Sequence, residues 1–269
     1  MLQHKKLGIL GCGTMGEAIM TGLLEANQLK PSAIKAITRR QERADELEEK
    51  YKVTGSIQVA DLGDAEIILV CLKPQNALSV LRTIDTKGKL LISICAGITI
   101  SALQKSSPEA IVIRAMPNTP SLIREGMCAI SPSNNCSTEN IELALQIFSS
   151  VGRCRVIQEK HLDAVTGLSG SGPAFICVLL EALADGGVMM GLPRDIATEF
   201  AAQTMQGAAR LVLQSGSHPA ALKDQVTTPA GCTIAGLLMM EDGKIRSTLA
   251  RTVQEATKVA SGLGKSASE

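Results

Sequence analysis

A run of six residues near the start of the chain has the residue types and spacing of a phosphate-binding turn. It reads G-x-G-x-x-G and comprises Gly11, Cys12, Gly13, Thr14, Met15 and Gly16. In such a turn the first glycine permits a tight bend, the second lets the backbone approach a diphosphate, and the third lets the following helix pack on a strand. The free N–H groups at the start of that helix attract an anion. The run therefore predicts a site for the diphosphate of a dinucleotide, and the alternative is an ordinary glycine turn.

Two arginines, Arg39 and Arg40, follow the second strand-like segment. At this position a carboxylate usually binds the ribose 2′-hydroxyl of NAD, whereas an arginine accommodates the 2′-phosphate of NADP. No acidic residue immediately precedes the pair, and guanidinium groups form strong charge-assisted hydrogen bonds with phosphate. We therefore expect NADPH as the cofactor, with NADH as the alternative. The other interpretation of the pair is a solvated basic couple at the start of a helix.

Two further turns follow strand-like segments. Leu72, Lys73 and Pro74 come after one apolar segment, and Ala96 and Gly97 come after the next. Ligands of open α/β sheets bind outside the carboxyl ends of the strands. We expect these residues to line the cofactor site, although taken alone they also fit simple turns.

These motifs need a scaffold, and the first part of the chain alternates strand-like with helix-like segments. The predicted strands are Leu7–Gly11, Ala33–Thr38, Glu66–Leu72, Lys89–Ala96, Ile111–Ala115, Glu125–Ser131 and Cys154–Gln158. The predicted helices between them are Glu17–Asn27, Gln41–Lys50, Pro74–Arg82, Ile100–Lys105 and Thr138–Ser149. Such alternation is typical of βαβ units. We expect an α/β, Rossmann-like domain over residues 1–158, with a mainly parallel, doubly wound sheet.

From Glu159 onward the strand signals stop, and apolar residues recur at helical spacing. The predicted helices are Pro173–Met190, Pro193–Ser215, Pro219–Gln225, Gly231–Met240 and Ile245–Ala260, the last one closed by Gly262 and Gly264. We expect an all-helical domain over residues 159–269, ending in a frayed polar tail at Lys265–Glu269. The apolar surface of these helices exceeds what one such unit can bury, which predicts an oligomer interface.

The composition narrows the class of protein and of partner. The formal net charge is +1, and the 269 residues include no Trp, one Tyr and three Phe. A balanced charge and few aromatic rings argue against nucleic acid as a partner. We find no segment that is apolar for long enough to span a membrane, so no membrane partner is expected.

The first residues of the chain bear on its cellular compartment, and its cysteines and histidines bear on disulfides and metal binding. The first residues show no signal-peptide pattern, so we expect a cytoplasmic protein. The eight cysteines include no Cys-x-x-Cys pair, and the three histidines are scattered along the chain. We therefore expect no metal site and no disulfide framework.

Several longer segments resemble, in order, those of the Δ1-pyrroline-5-carboxylate reductase family. They are Leu72–Gln75, Ala96–Thr99, Arg114–Pro120, the glycine- and serine-rich Leu162–Phe175, and Lys223–Leu237, which is similar to the family's C-terminal signature. The resemblance covers nearly the whole chain and is far more specific than the glycine turn alone. Hydroxyacid dehydrogenases of the same two-domain plan are disfavoured. They use a lysine on the first long helix of the second domain, and this chain has no lysine between Lys160 and Lys223.

The resemblance implies NAD(P)H-dependent reduction of Δ1-pyrroline-5-carboxylate to L-proline, the last step of proline synthesis. It also implies a homodimer with interlocked C-terminal helices, often assembled further into a ring of dimers. It places the cofactor on Gly11–Gly16, on Arg39 and Arg40 at the adenosine side, on Leu72, Lys73, Pro74, Ala96 and Gly97, and on Asn118 near the nicotinamide. It assigns substrate binding to Glu159, Gln225, Thr228, Gly231, Cys232 and Thr233.

Thr233 is the residue that we expect to act on the reacting imine. The backbone N–H groups ahead of a helix form an anion site for the substrate carboxylate, and Thr228 can add a hydroxyl. The Thr233 hydroxyl can hydrogen-bond the ring nitrogen and relay a proton. The alternative role for both threonines is helix capping. The family signature usually has glycine where this chain has Ala230, which matters only if that residue has a positive φ, and a small residue where it has Cys232.

Two other functions stay open. The first is a related imine or hydroxyacid oxidoreductase that acts on a different small carboxylate. The second is a non-catalytic, NADP-binding regulatory protein, which should have lost Thr233 or the anion-binding loop.

Overall fold

The computed structural model describes residues 2–266, and the chain divides into two compact units. The first unit joins Met1–Ser171 with Gln254–Glu269, and the second is Gly172–Val253. Residues 267–269 of the predicted polar tail lie outside the described residues.

The first unit contains one sheet of eight strands in the order β3-β2-β1-β4-β5-β6-β7-β8. They are β1 Leu7–Leu10, β2 Ile34–Ile37, β3 Thr54–Ser56, β4 Ile67–Val70, β5 Leu90–Ser93, β6 Ile111–Met116, β7 Gly126–Pro132 and β8 Gly152–Val156. Neighbouring strands are parallel except β6 and β7, which are antiparallel. The predicted mainly parallel, Rossmann-like sheet is therefore confirmed.

Helices cover both faces of this sheet. They are α1 Thr14–Glu25, α2 Gln41–Tyr51, α3 Pro74–Leu81, α4 Ile100–Ser106 and α5 Thr138–Ser149. The residues of β1, β4 and β5 are all buried, which is typical of parallel strands covered on both sides. One core cluster includes Ile9, Ile19 and Phe148, and a second includes Ile68 and Leu103. The two clusters are the two apolar layers of a doubly wound sheet.

The short strand β3 was not predicted, because Thr54–Ser56 is polar and only three residues long. The chain reverses after α2 at Lys52, which has a φ of 59°. It then pairs alongside β2, where a Cβ on Gly55 would lie 2.2 Å from the carbonyl oxygen of Ala44. Backbone pairing and this close approach produce the strand, and neither leaves a hydrophobic pattern in the sequence.

A π-helical turn, Thr166–Gly170, follows the four-residue helix α6, Leu162–Val165. The N–H of Ser171 donates to the carbonyl oxygen of Thr166 at 2.9 Å and closes the wider turn. A Cβ on Gly170 would lie 2.8 Å from the terminal methyl of Met116, so the small residue allows close packing. The turn itself was not predicted, and such turns are frequent at functional sites.

The remaining helices follow in chain order, which confirms the predicted all-helical second half. They are α7 Gly172–Met189, α8 Arg194–Ser215, α9 Pro219–Gln225, α10 Cys232–Asp242 and α11 Ile245–Ser266. The predicted end of the last helix at Ala260 is wrong. Gly262 and Gly264 do not stop α11, because a helical glycine costs only about 1 kcal/mol relative to alanine.

Most large apolar side chains of the second unit are exposed in the single chain. Within Gly172–Val253, all of which the structure describes, only Ala184 and Ala197 are buried. Met189 is 82% exposed and Phe200 is 66% exposed. An apolar surface of this extent fits the predicted oligomer interface.

One helical run, Glu159–Met189, is long and apolar enough to cross a membrane by length and composition, with a mean hydropathy of 1.5 in its most apolar window. The expectation that no segment meets these criteria is therefore wrong. Interior helices of soluble proteins meet them too, so the run by itself does not assign the chain to a membrane.

Candidate active site

The glycine turn joins β1 to α1, as its spacing predicts. Gly11 has a φ of 88°, and a Cβ there would lie 2.7 Å from a Leu72 methyl and 3.0 Å from the Cys71 carbonyl oxygen. Gly11 and Cys12 both donate their N–H groups to the carbonyl oxygen of Ile37, at 2.9 and 3.1 Å. Only glycine fits the first position of this turn, for reasons of both conformation and space.

The other two glycines have different roles. A Cβ on Gly13 would meet no atom within 4 Å, so the backbone there is open to a ligand. A Cβ on Gly16 would lie 3.2 Å from Ile9, because α1 packs closely on β1 at this point. Gly13 caps α1 without any side-chain hydrogen bond, so the N–H groups at the start of the helix remain available to an anion.

A cavity of about 850 Å³ opens beside this turn, within the first unit. Its lining includes seven of the residues predicted to bind the cofactor, namely Gly11, Cys12, Gly13, Arg39, Arg40, Leu72 and Lys73. The predicted residues outside its lining are Thr14, Met15, Gly16, Pro74, Ala96, Gly97 and Asn118. The volume is within the range of small-molecule and cofactor sites, about 300–1,000 Å³.

Positive charge is concentrated on the wall of this cavity. Arg39, Arg40 and Lys73 are exposed, and none of them forms an ion pair with another residue of the described chain. Arg43 also lines the cavity, but its guanidinium pairs with Glu17 and with Glu46. Three cations without partners at one wall are suited to binding the phosphates of a dinucleotide.

Sequence reasoning missed Arg43 and its partner Glu17. The hydroxyl of Tyr51 donates to Glu17 at 2.6 Å, and Arg43 donates to the other carboxylate oxygen. Partial burial raises the pKa of Glu17, but these hydrogen bonds outweigh it and hold the pKa below its ordinary value. Arg43 lies in the first turn of α2 and Glu17 in the first turn of α1, 26 residues apart in sequence, so the sequence carried no local signal for their pairing.

Burial disfavours ionisation of the thiols near the turn. Burial raises the pKa of Cys12 to about 12, and burial also raises the pKa of Cys71 and of Cys95. A protonated, buried thiol is a poor nucleophile and behaves as a small apolar side chain. Cys12 therefore contributes to the turn through its backbone.

Asn118 lies two residues after the end of β6, and both its side-chain oxygen and its side-chain nitrogen are hydrogen-bonded within the first unit. Its Oδ1 accepts from the N–H of Met127 at 2.8 Å. Its Nδ2 donates to both the carbonyl oxygen and the hydroxyl of Ser169, each at 3.2 Å. Asn118 therefore links the start of β7 to the π-helical turn, and its predicted place near the nicotinamide stays a prediction.

Glu159 is also hydrogen-bonded within the first unit. Its Oε1 accepts from the N–H of Ile100 at 2.7 Å, at the start of α4. The guanidinium of the buried Arg114 lies 3.4 Å from the same oxygen and 3.1 Å from Oδ1 of Asp163. The carboxylate that was predicted to bind substrate is therefore held between a helix start and a buried cation.

The predicted substrate loop is a tight turn in the second unit, ahead of α10. The N–H of Gly231 donates to the carbonyl oxygen of Thr228 at 3.1 Å, with Pro229 and Ala230 between them. Ala230 has a φ of 56°. Proline followed by a residue of positive φ is the pattern of a type II turn, which normally requires glycine at the second of these positions. The substitution by alanine therefore falls at a strained position.

Neither threonine of this loop caps the helix. Gly231 is the N-cap of α10 and makes no side-chain hydrogen bond. The hydroxyls of Thr228 and Thr233 have no hydrogen-bond partner among residues 2–266. Helix capping, the alternative role for both residues, is therefore wrong. Two hydroxyls and the free N–H groups of a helix start remain available to a ligand.

The other predicted substrate residues of the second unit lie near this turn in sequence. Gln225 ends α9 and is exposed, whereas Cys232 is the first residue of α10 and is also exposed. A Cβ on Gly231 would lie 2.4 Å from the Thr228 hydroxyl, so glycine is needed for this hydroxyl to lie against the backbone. Within residues 2–266, no group of three or more His, Cys, Asp and Glu side chains could hold a metal ion.

Two family models match the chain. Residues 159–263 match a model described as pyrroline-5-carboxylate reductase dimerisation. Residues 6–97 match one described as NADP oxidoreductase coenzyme F420-dependent. The first match begins where the apolar helical run begins, and it accounts for the exposed apolar side chains as parts of an oligomer.

Known proteins match over nearly the full length. A pyrroline-5-carboxylate reductase of Schizosaccharomyces pombe is 45% identical over 96% of this chain and 98% of that protein. A Plasmodium falciparum pyrroline carboxylate reductase, solved with NADP bound, has a TM-score of 0.88 and 30% identity over 98% of this chain and all of that one. A Coxiella burnetii pyrroline-5-carboxylate reductase structure has a TM-score of 0.91 and 27% identity over 96% and 98% of the two chains.

Proposed function

The chain belongs to the pyrroline-5-carboxylate reductase family, and on that basis we propose that it reduces Δ1-pyrroline-5-carboxylate to L-proline with NADPH. The observation that carries this proposal is the 45% identity with the yeast relative over 96% of the chain. The glycine turn lies within residues 6–97 and the Thr228–Thr233 loop within residues 159–263, the two ranges that match the family models. Hydroxyacid chemistry with a lysine general acid, which the sequence disfavours, has no lysine between Lys160 and Lys223 to perform it.

The residues of the first unit fit the cofactor. The diphosphate is bound by the open backbone at Gly13 and by the free N–H groups of α1, and Thr14, Met15 and Gly16 provide those groups. Arg39 and Arg40 bind the 2′-phosphate, which makes NADPH the preferred cofactor and NADH the alternative. The bound cofactor supplies the hydride.

Leu72, Lys73, Pro74, Ala96, Gly97 and Asn118 complete this site in our proposal. Lys73 lines the cavity and Pro74 begins α3, while Ala96 and Gly97 form the turn after β5. Both turns lie at the carboxyl ends of parallel strands, where α/β sheets bind their ligands. Asn118 acts here by holding the neighbouring backbone in place.

In the second unit, the proposed substrate residues are Gln225, Thr228, Gly231, Cys232 and Thr233. The free N–H groups of α10 and the Thr228 hydroxyl bind the substrate carboxylate. The Thr233 hydroxyl donates to or accepts from the ring nitrogen and orients the imine. Cyclic imines are protonated more readily than ketones, so a weak donor such as a hydroxyl suffices and no lysine is required.

Oligomeric state, compartment and domain division belong to the same proposal. The chain forms oligomers through residues 159–263, and we propose a homodimer, with a ring of dimers as its larger form. All eight cysteines are free, as is usual in the reducing cytoplasm. A functional boundary at residues 158 and 159 coincides with the start of the dimerisation match.

The test is the oxidation of NADPH by purified protein on addition of pyrroline-5-carboxylate, with proline measured as product. Thr233→Ala is compared with Thr198→Ala, which removes the same atoms from a threonine whose hydroxyl only bonds the carbonyl oxygen of Arg194. We expect fast turnover, weakened about tenfold or more by Thr233→Ala alone, as for the loss of one hydrogen bond to a reacting group. NADPH binding without turnover of this or related imines and keto acids would leave a regulatory NADP-binding protein. Turnover of a different imine would replace the substrate.

A further inference from the structure

The turn after β5 is held at its far end by a residue remote in sequence. Gly97 has a φ of 77°, and Thr99 caps α4 by accepting a hydrogen bond from Ala102 at 3.2 Å. The N–H of Ile100, the first residue of α4, has no acceptor within the helix. It donates instead to Oε1 of Glu159, 59 residues away in sequence, at 2.7 Å. A short bond between an N–H and a carboxylate is among the stronger hydrogen bonds in proteins.

The carboxylate of Glu159 is itself fixed by a buried cation. Arg114 lies on β6 beside Ser93 of β5, and its side chain is 7% exposed. Its guanidinium lies 3.4 Å from Glu159 and 3.1 Å from Asp163. A buried charge that loses a partner is strongly destabilised, so Arg114 restrains both carboxylates. Glu159 therefore fixes the start of α4 relative to β6, because its carboxylate contacts both Ile100 and Arg114.

We infer that Glu159 is a positioning residue for the Ala96–Thr99 turn, and through that turn for the cofactor, rather than a ligand of the substrate. This inference rests on the proposed function, in which Ala96 and Gly97 contact NADPH. The sequence match placed Glu159 at the substrate, but its hydrogen bonds join it to the strand and helix next to this turn.

Three variants separate the two roles. Glu159→Ala removes the acceptor for Ile100, whereas Glu159→Gln keeps an acceptor oxygen in place. Asp163→Asn is the matched control, because it weakens the other ion pair of Arg114 and leaves the Ile100 hydrogen bond intact. NADPH affinity is measured by the fluorescence of the bound dihydronicotinamide without substrate. The KM for pyrroline-5-carboxylate is measured at saturating NADPH, and circular dichroism checks the fold.

We expect Glu159→Ala to raise the NADPH dissociation constant about tenfold, the effect of losing one charged hydrogen bond. Glu159→Gln should stay within about threefold of the wild type, since a neutral acceptor retains much of that bond. Asp163→Asn should bind NADPH like the wild type. The KM for pyrroline-5-carboxylate should be unchanged in all three.

A raised KM for pyrroline-5-carboxylate in both Glu159 variants, with unchanged NADPH affinity, would overturn the inference and restore Glu159 to the substrate site. Unchanged NADPH affinity in a folded Glu159→Ala protein would overturn it as well. If Glu159→Ala does not fold, the KM of Glu159→Gln for pyrroline-5-carboxylate decides between the two roles. A carboxylate that binds the substrate cannot lose its charge without raising this KM, so an unchanged KM supports the inference and a raised KM overturns it. Failure of the proposed function is recognised separately, as wild-type protein that binds NADPH and does not reduce pyrroline-5-carboxylate.

Discussion

Ala230→Gly should stabilise the protein, although it removes a methyl group. Ala230 has a φ of 56°, in the left-handed region, and follows Pro229 in the turn ahead of α10. An L-residue in that region costs about 1–2 kcal/mol. Glycine relieves this strain but gives the unfolded chain more freedom, which costs roughly 0.5–1 kcal/mol. The difference predicts a net gain of about 0.5–1 kcal/mol in the free energy of unfolding.

The assay is thermal unfolding at one fixed protein concentration without cofactor, because both association and ligands shift the midpoint. A gain of this size should raise Tm by about 1–4 °C. The matched control is Ala235→Gly, in the exposed interior of α10, where the same change should cost about 1 kcal/mol and lower Tm. Because the backbone of the turn is unchanged, the KM for pyrroline-5-carboxylate should change by less than about twofold.

A fall in Tm for Ala230→Gly similar to that of Ala235→Gly would refute this reasoning. It would mean that alanine adopts the left-handed conformation here without measurable strain, and that the chain has no need of the family's glycine at this position.

Three further predictions concern the first unit. Gly13→Ala should leave Tm within about 1 °C of the wild type, since a Cβ there meets no atom within 4 Å. It should weaken NADPH binding, measured by isothermal titration, at least tenfold, because the new methyl group blocks the diphosphate. A much lower Tm would contradict the open position of Gly13. Replacing Arg39 and Arg40 together by alanine should weaken NADPH binding and leave NADH binding unchanged, and equal losses for both cofactors would contradict a 2′-phosphate site. Hydrogen bonds from Lys35 and Lys6 hold the pKa of Asp64 below its ordinary value of 3.8. Its contribution to stability is therefore complete above that value and disappears as pH falls toward the folded-state pKa, so Asp64→Asn should flatten the loss of stability below about pH 4 in acid titrations followed by circular dichroism.

The fold could be predicted in most of its elements because the core of the first unit leaves a local pattern. Apolar runs such as Ile67–Val70 are buried on both faces of the sheet, and their pattern depends on no distant residue. The strand Thr54–Ser56 escaped prediction because backbone pairing alone defines it. The π-helical turn Thr166–Gly170 was not predicted, because a single residue inserted into a helix produces no recurring spacing of apolar residues in the sequence.

The cofactor site could be predicted in part for a similar reason. The roles of Gly11, Gly13 and Gly16 follow from backbone geometry within six residues, and the structure gives each one the space or crowding that its role requires. Arg43 was missed because its pairing with Glu17 connects two helices, 26 residues apart in sequence. Contacts of this kind depend on the assembled sheet.

Hydrogen-bond capacity separates the residues that hold the fold from those available to a ligand. Asn118 and Glu159 were both assigned to ligands from the sequence, yet each is hydrogen-bonded to partners more than 50 residues away. Arg39, Lys73 and Thr233, by contrast, have no side-chain partner among residues 2–266. A polar group that is bonded only to water exchanges that bond for one to the ligand, whereas a group bonded within the protein must first give up an internal hydrogen bond. The matched segments therefore contain side chains that are bonded within the protein and side chains that are not. Only the side chains without an internal partner are free to contact NADPH or the substrate.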